Sequence, residues 1–109
     1  MHADDMSISA TCVRVPVSVC HSESVHVEFT EAMSPGEARE LLAAFPGVCV
    51  VDDPEGHGYP MPILSRGRDE VFVGRIRQDA SKANGLAMWV VSDNLRKGAA
   101  LNAIAVSNT

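Results

Sequence analysis

The chain has 109 residues, which is enough for one small domain. Its net charge of −5 argues against non-specific nucleic-acid binding, because phosphate groups would repel an acidic surface. No apolar run could span a bilayer, and the polar N-terminus Met1–Asp5 resembles neither a signal nor a transit peptide. We therefore expect a cytoplasmic protein with no membrane or nucleic-acid partner.

The first part of the chain shows two alternating patterns. Residues 1–10 are expected to be irregular. A half-buried strand is predicted from a period of two in Val13, Val15, Val17 and Val19, and Pro16 makes this strand an edge or a bent one. A short polar connection over 21–24 is followed by a second predicted strand, which contains Val25, Val27 and Phe29.

The middle of the chain predicts a helix, a strand and a long loop. Ser34 is a good N-cap, Pro35 suits the first helical position, and Glu37 completes a capping box. The apolar stripe of this helix comprises Ala38, Leu41, Leu42 and Phe45. Residues 48–51 predict a buried strand, and residues 53–69 predict a loop of a length that is often functional or interfacial.

The last part predicts two more strands, over 70–78 and 86–91, and a helix capped by Asp93 over about 93–106. The fold class is therefore α+β: a mixed, largely antiparallel sheet with helices packed on one face. Residues 11–109 form a single domain in this interpretation.

Cofactor and metal motifs are missing from the sequence. There is no glycine-rich dinucleotide-binding fingerprint after a strand, and His21 and His26 near Cys20 lack the spacing of a zinc site. Cys12, Cys20 and Cys49 form no C-x-x-C pair, so we expect reduced, mostly buried thiols and no metal.

One stretch carries chemistry: Cys-Val-Arg-Val-Pro-Val at 12–17, followed by His-Ser-Glu at 21–23. It resembles the segment of aspartate-semialdehyde dehydrogenases that holds the substrate-binding arginine and the catalytic histidine. The resemblance continues through ordered blocks at 37–42, 50–54, 69–77 and 89–100. It covers nearly the whole chain from about position 9, which makes it specific.

The resemblance implies an NADP-dependent oxidoreductase that interconverts L-aspartyl phosphate with L-aspartate 4-semialdehyde and phosphate, in lysine, threonine and methionine biosynthesis. In that family a cysteine forms a thioacyl intermediate. The family also implies the fold of the C-terminal domain of glyceraldehyde-3-phosphate-dehydrogenase-like enzymes, and a homodimer.

Three site residues follow from the resemblance. Arg14 would hold the substrate carboxylate, His21 would be the general acid/base, and Asn94 would contact the nicotinamide end of the cofactor. Asn94 fits a helix cap equally well. Arg14 and His21 are an odd number of residues apart, so on one regular strand they would lie on opposite faces. A bend near Pro16, or a His21 beyond the strand, would be needed to bring both to one cleft.

The family's nucleophilic cysteine motif and its cofactor-binding half do not occur in these residues. Cys20 is a tempting substitute, but a buried structural thiol is the commoner case. We therefore expect part of a catalytic and dimerisation domain that is inactive alone, with helix 93–106 facing a missing NADP-binding domain.

Two alternatives stay open. One is a non-catalytic dimerisation or interaction module, and the other is a related reductase of a different acyl phosphate.

Overall fold

The computed structural model describes residue 9 and residues 11–97, so most of the segment 1–10 and most of the predicted helix 93–106 lie outside it. The described elements are β1 (His21–Glu28), α1 (Pro35–Ala44), β2 (Val48–Val50), α2 (Pro62–Ser65), β3 (Val71–Gln78) and β4 (Gly85–Ser92). Within this part, no helix has the length and apolar character needed to cross a membrane.

The strands form one sheet in the order β1-β4-β3-β2. β4 pairs antiparallel with both β1 and β3, whereas the short β2 pairs parallel with β3. The predicted α+β class, with a mixed and largely antiparallel sheet, is confirmed.

The strand predicted over residues 13–19 is wrong. The described chain is irregular from Thr11 to Cys20, with a tight turn in which Val17 N–H donates to the Val15 carbonyl at 2.8 Å. Val13, Val15 and Val17 are 74%, 50% and 43% exposed. Alternation makes a strand only where another strand supplies hydrogen bonds, and no described strand lies beside this segment.

β1 starts at His21, so the polar connection predicted over 21–24 is also wrong. These four residues pair with β4, from His21 opposite Ser92 to Ser24 opposite Trp89. The prediction from apolar residues did not include them, because β1 is an edge strand of the described sheet and its first half is largely exposed.

α1 begins as predicted. Ser34 Oγ accepts from Glu37 N–H at 3.1 Å, and Glu37 Oε2 accepts from Ser34 N–H at 3.0 Å. The predicted stripe is only half right, because Leu41 and Phe45 are exposed. The side of α1 that contains Ala38 and Leu42 packs on the core residues Val73, Ile76 and Leu86.

The long loop between β2 and β3 contains α2 and covers the other face of the sheet. A Cβ at Gly74 would lie 2.5 Å from Pro60 Cδ, so the loop packs directly on the β3 backbone. Trp89 Nε1 donates to the Pro60 carbonyl at 3.1 Å and ties the loop to β4. Because Trp89 is paired with Ser24, this contact places the loop near the first half of β1, where the candidate site lies.

Candidate active site

His21 lies at the end of the sheet where β1 begins and β4 finishes. It is the first residue of β1, it pairs with Ser92, and its side chain is exposed. The antiparallel register therefore sets the predicted catalytic histidine beside the segment that follows Ser92, which contains the predicted cofactor-contacting residue Asn94.

Cys20 joins these two segments. Its backbone N–H donates to Asn94 Oδ1 at 3.0 Å, and its thiol donates to the Pro62 carbonyl at 3.5 Å. Cys20 adopts a positive φ of 85°, which is unusual for a residue with a Cβ and changes the chain direction immediately before His21. The structure thus joins the chain at Asn94 to the residue immediately before His21.

Asp93 fixes the start of the segment that carries Asn94. Its carboxylate is buried and accepts from Leu95 N–H at 3.0 Å and from Gly67 N–H at 2.8 Å. Its carbonyl accepts from the Arg96 and Lys97 N–H groups, as at a helix start. Asp93 therefore caps this turn, as the sequence predicted, and also holds the loop after α2.

Arg14 lies on the exposed irregular segment before Cys20. Among the described residues, no hydrogen bond or ion pair joins its guanidinium to His21 or Asn94. The odd spacing from His21 no longer forces the two side chains apart, because the residues between them do not form a strand.

The Cys20 thiol is not suited to act as a nucleophile. Burial raises its pKa, the nearby Asp93 carboxylate raises it further, and Arg66 opposes these effects. Since the thiolate is the reactive form, a raised pKa favours the inert thiol. Of the other cysteines, Cys12 is exposed, contrary to the prediction of mostly buried thiols, and Cys49 is half-buried.

Two open grooves lie on either side of Pro62, whose carbonyl accepts from the Cys20 thiol. The smaller, about 210 Å³, lies next to Cys20 and is lined by Val17, Ser18, Val19, Pro62, Ile63 and Arg66. The larger, about 460 Å³, lies over the loop-covered face and includes Tyr59, Arg75 and Trp89. Sequence reasoning missed the part played by the loop here. Residues 20 and 62 are too far apart along the chain for any local pattern to reveal their contact.

Comparison with known proteins identifies the family. The model of the semialdehyde dehydrogenase dimerisation domain matches residues 1–97. The chain belongs to this family. An aspartate-semialdehyde dehydrogenase of Aquifex aeolicus is 56% identical over 107 residues, which are 98% of this chain and 32% of that protein. The chain therefore spans about a third of the length of such relatives and corresponds to their C-terminal part.

Solved structures of the same family share the fold. Aspartate semialdehyde dehydrogenase II of Vibrio cholerae, complexed with ASA, matches with a TM-score of 0.83 and 38% identity over 90% of this chain and 29% of its own. The enzyme of Candida albicans with NADP matches with a TM-score of 0.70 and 29% identity over 86% of this chain and 30% of its own. The resemblance to the family, and the C-terminal-domain fold that it implied, are confirmed.

Proposed function

We propose that this chain is the catalytic and dimerisation part of an NADP-dependent aspartate-semialdehyde dehydrogenase. The whole enzyme would interconvert L-aspartyl phosphate with L-aspartate 4-semialdehyde and phosphate, in the cytoplasm, for lysine, threonine and methionine biosynthesis. The observation that carries the proposal is the Cys20–Asn94 hydrogen bond, which joins Asn94 to the residue before His21, in a chain 56% identical to such an enzyme.

His21 would be the catalytic residue that moves protons. An imidazole takes up and releases a proton near neutral pH, so it can serve a reacting oxygen or sulfur in both directions of the reaction. Its exposed position at the start of β1 leaves it accessible to a substrate that is also bound by residues outside this domain. Cys20, whose thiol is buried, would not be the nucleophile, which we place in the remainder of the enzyme.

Arg14 would bind the α-carboxylate of the substrate. A guanidinium group meets a carboxylate with two parallel hydrogen bonds, which fix orientation as well as position. The exposed segment that carries Arg14 makes it available for such a ligand. Most of the residues that bind phosphate would lie in the part of the whole enzyme outside this 109-residue chain.

Asn94 would be the contact of this chain with NADP, which exchanges a hydride with the substrate when bound. Its Oδ1 accepts from Cys20 N–H, which turns the amide so that Nδ2 can donate to a ligand. A side-chain donor at a helix start suits the carboxamide oxygen of a nicotinamide. With no dinucleotide fingerprint in the sequence, the rest of the cofactor site would belong to another domain.

A homodimer would be the working state. The matching family model is that of a dimerisation domain, and exposed apolar side chains include Val13, Leu41, Phe45 and Ile63. The isolated chain should therefore self-associate or show poor solubility. Sedimentation velocity over a range of concentrations tests this, and a monodisperse monomer at high concentration would contradict it.

The proposed activity can be tested by replacing the corresponding third of the Aquifex aeolicus enzyme with this chain. Phosphate-dependent reduction of NADP by aspartate semialdehyde is then measured for the chimaera and for the 109-residue chain. We expect activity in the chimaera only. His21→Ala should lower kcat at least about 100-fold. The matched control His26→Ala, on the same strand and also exposed, should change kcat less than about twofold.

Three results would overturn parts of this proposal. A folded, dimeric chimaera without activity would favour a non-catalytic module. Activity only with another acyl-phosphate-derived aldehyde would favour a related reductase. An active chimaera that tolerates His21→Ala would remove His21 from the mechanism.

A further inference from the structure

The residue before His21 is held in an unfavourable backbone conformation. Cys20 has a φ of 85°, in the left-handed region, although it carries a Cβ. Such a conformation costs free energy and persists only where the surroundings determine it. Its surroundings therefore decide in which direction β1 starts and from which position the His21 side chain projects.

Asn94 provides the side-chain hydrogen bond to this backbone. Its Oδ1 accepts from Cys20 N–H at 3.0 Å, across 74 positions of sequence. The Cys20 thiol donates to the Pro62 carbonyl at 3.5 Å, which is a weaker contact. Cys20 is only 5% exposed, so its N–H group would lose a partner in a site that water hardly reaches if Asn94 were removed.

The chain immediately before Asn94 is anchored by several contacts. The preceding residue, Asp93, is 4% exposed, and its carboxylate binds the backbone N–H groups of Gly67 and Leu95. β4 and β1 are paired up to Ser92 opposite His21. Asn94 thus directly follows a segment that both Asp93 and the β1–β4 pairing hold in place.

We infer that Asn94 is a positioning residue for His21 and acts through the Cys20 N–H group. The inference rests on the proposed function and adds to it. The planar side-chain amide of Asn94 would then have two partners, the Cys20 N–H group and the cofactor. Oδ1 holds the backbone before His21, while Nδ2 would be left to donate to the nicotinamide. An amide that turns or is lost changes both the contact with NADP and the placing of the acid/base group.

Two substitutions separate these two roles in the chimaera described above. Asn94→Asp keeps an oxygen acceptor for Cys20 N–H and loses the Nδ2 donor, whereas Asn94→Ala loses both. Asn84→Ala is the matched control, because Asn84, in the β3–β4 turn, is also half-buried and its amide donates to the carbonyl of Thr30, which follows β1. The readouts are kcat, KM for NADP, the pH profile of kcat, and hydrogen exchange of the Cys20 amide by mass spectrometry.

For Asn94→Ala we expect faster exchange at Cys20, a fall in kcat of about 10- to 100-fold and an altered acidic limb of the pH profile, since a displaced acid/base group loses its alignment. For Asn94→Asp we expect a protected Cys20 amide, a raised KM for NADP and a kcat within about threefold of the unsubstituted chimaera, because the acceptor is retained. Asn84→Ala should leave all four readouts unchanged.

The positioning role is overturned if Asn94→Ala raises only the KM for NADP, with kcat and its pH profile unchanged. If Asn94→Ala fails to fold, the Asn94→Asp variant decides. A Cys20 amide that stays protected from exchange, together with a retained kcat, supports the inference. A protected Cys20 amide together with a lost kcat overturns it. An unsubstituted chimaera without activity refutes the proposed function itself. Failure of the proposed function is therefore distinguishable from failure of the positioning role of Asn94.

Discussion

The carboxylate of Asp52 lies 2.6 Å from the guanidinium Nε of Arg39, and this ion pair joins the segment after β2 to α1. The Asp52 side chain is 3% exposed. It also accepts from the backbone N–H groups of Arg75 and Ile76 at 3.0 and 3.2 Å. Those residues lie where the pairing of β3 with β4 shifts register and where Arg75 has a φ of 53°. Asp52 thus holds the irregular part of β3 in place.

Asp52→Ala should destabilise the domain by about 2–4 kcal/mol, because it leaves the N–H groups of Arg75 and the buried Ile76 without their acceptor and Arg39 without its ionic partner. Urea unfolding followed by circular dichroism measures this. Glu40→Ala, an exposed change on the same helix as Arg39, should stay within about 0.5 kcal/mol. Equal effects of the two substitutions would show that the ion pair and its backbone contacts do not stabilise the fold.

Gly74→Ala should also destabilise the domain, because the added Cβ would clash with the Val51 carbonyl oxygen and would lie 2.5 Å from Pro60 Cδ in the loop, and only a backbone shift can relieve the clash with Val51. We expect a loss of about 1–3 kcal/mol, together with a change in Trp89 fluorescence as the loop moves. The control is Gly36→Ala in α1, where the nearest atom to the new Cβ is 3.9 Å away. That variant should be as stable as the parent or more stable by up to about 1 kcal/mol. A stable Gly74→Ala would mean that the loop does not pack on β3.

Ser34→Ala should cost about 1 kcal/mol, because it removes the oxygen that accepts from Glu37 N–H at the start of α1. Ser34→Asp retains an acceptor at the same place and should be close to the parent in stability. The measurement is the midpoint of urea unfolding. A parent-like midpoint for both variants would show that the capping box does not contribute to stability.

The Asp79 carboxylate should make stability depend on acid pH. Hydrogen bonds from the Ser81 side chain, then from His26, then from the Ser81 backbone hold the pKa of Asp79 well below its usual range. A carboxyl group whose pKa is lowered by folding stabilises the native state above its ordinary pKa of 3.8, and this contribution is lost as the pH falls further. Stability should therefore decline in acid below that value.

Ser81→Ala should raise the Asp79 pKa towards the ordinary value and reduce the acid dependence of unfolding. An NMR titration of the Asp79 carboxyl carbon measures the first effect, and urea unfolding at several acid pH values measures the second. Ser24→Ala, at an exposed serine of β1, should alter neither. A titration of Asp79 that Ser81→Ala leaves unchanged would contradict the assigned cause.

Local chemistry explains why some elements could be predicted. The α1 start depends on Ser34, Pro35 and Glu37, whose interactions are complete within four residues. β3 was recognisable from its alternating pattern and β4 from its apolar run. The strand predicted over residues 13–19 failed because alternation alone does not supply a hydrogen-bonding neighbour. The first half of β1 was missed because its pairing with β4 is non-local.

The roles of Arg14, His21 and Asn94 came from resemblance, and they stay predictions. Family membership is confirmed by the matching family model and the relatives. Spacing along the chain did not indicate whether the three residues meet. The structure joins the segment of His21 to Asn94 through Cys20, and it leaves Arg14 on an exposed segment without a described contact to either.

The amino-acid sequence by itself determined the fold class, the start of α1, the capping role of Asp93 and the family, since these depend on side-chain chemistry over short stretches and on ordered motif blocks. Only the tertiary structure decided that β1 begins at His21, that Cys20 turns the chain there, and that Asn94 holds it. Those features depend on hydrogen bonds between residues as far as 74 positions apart, whose geometry exists only once β1, β4 and the loop have packed together.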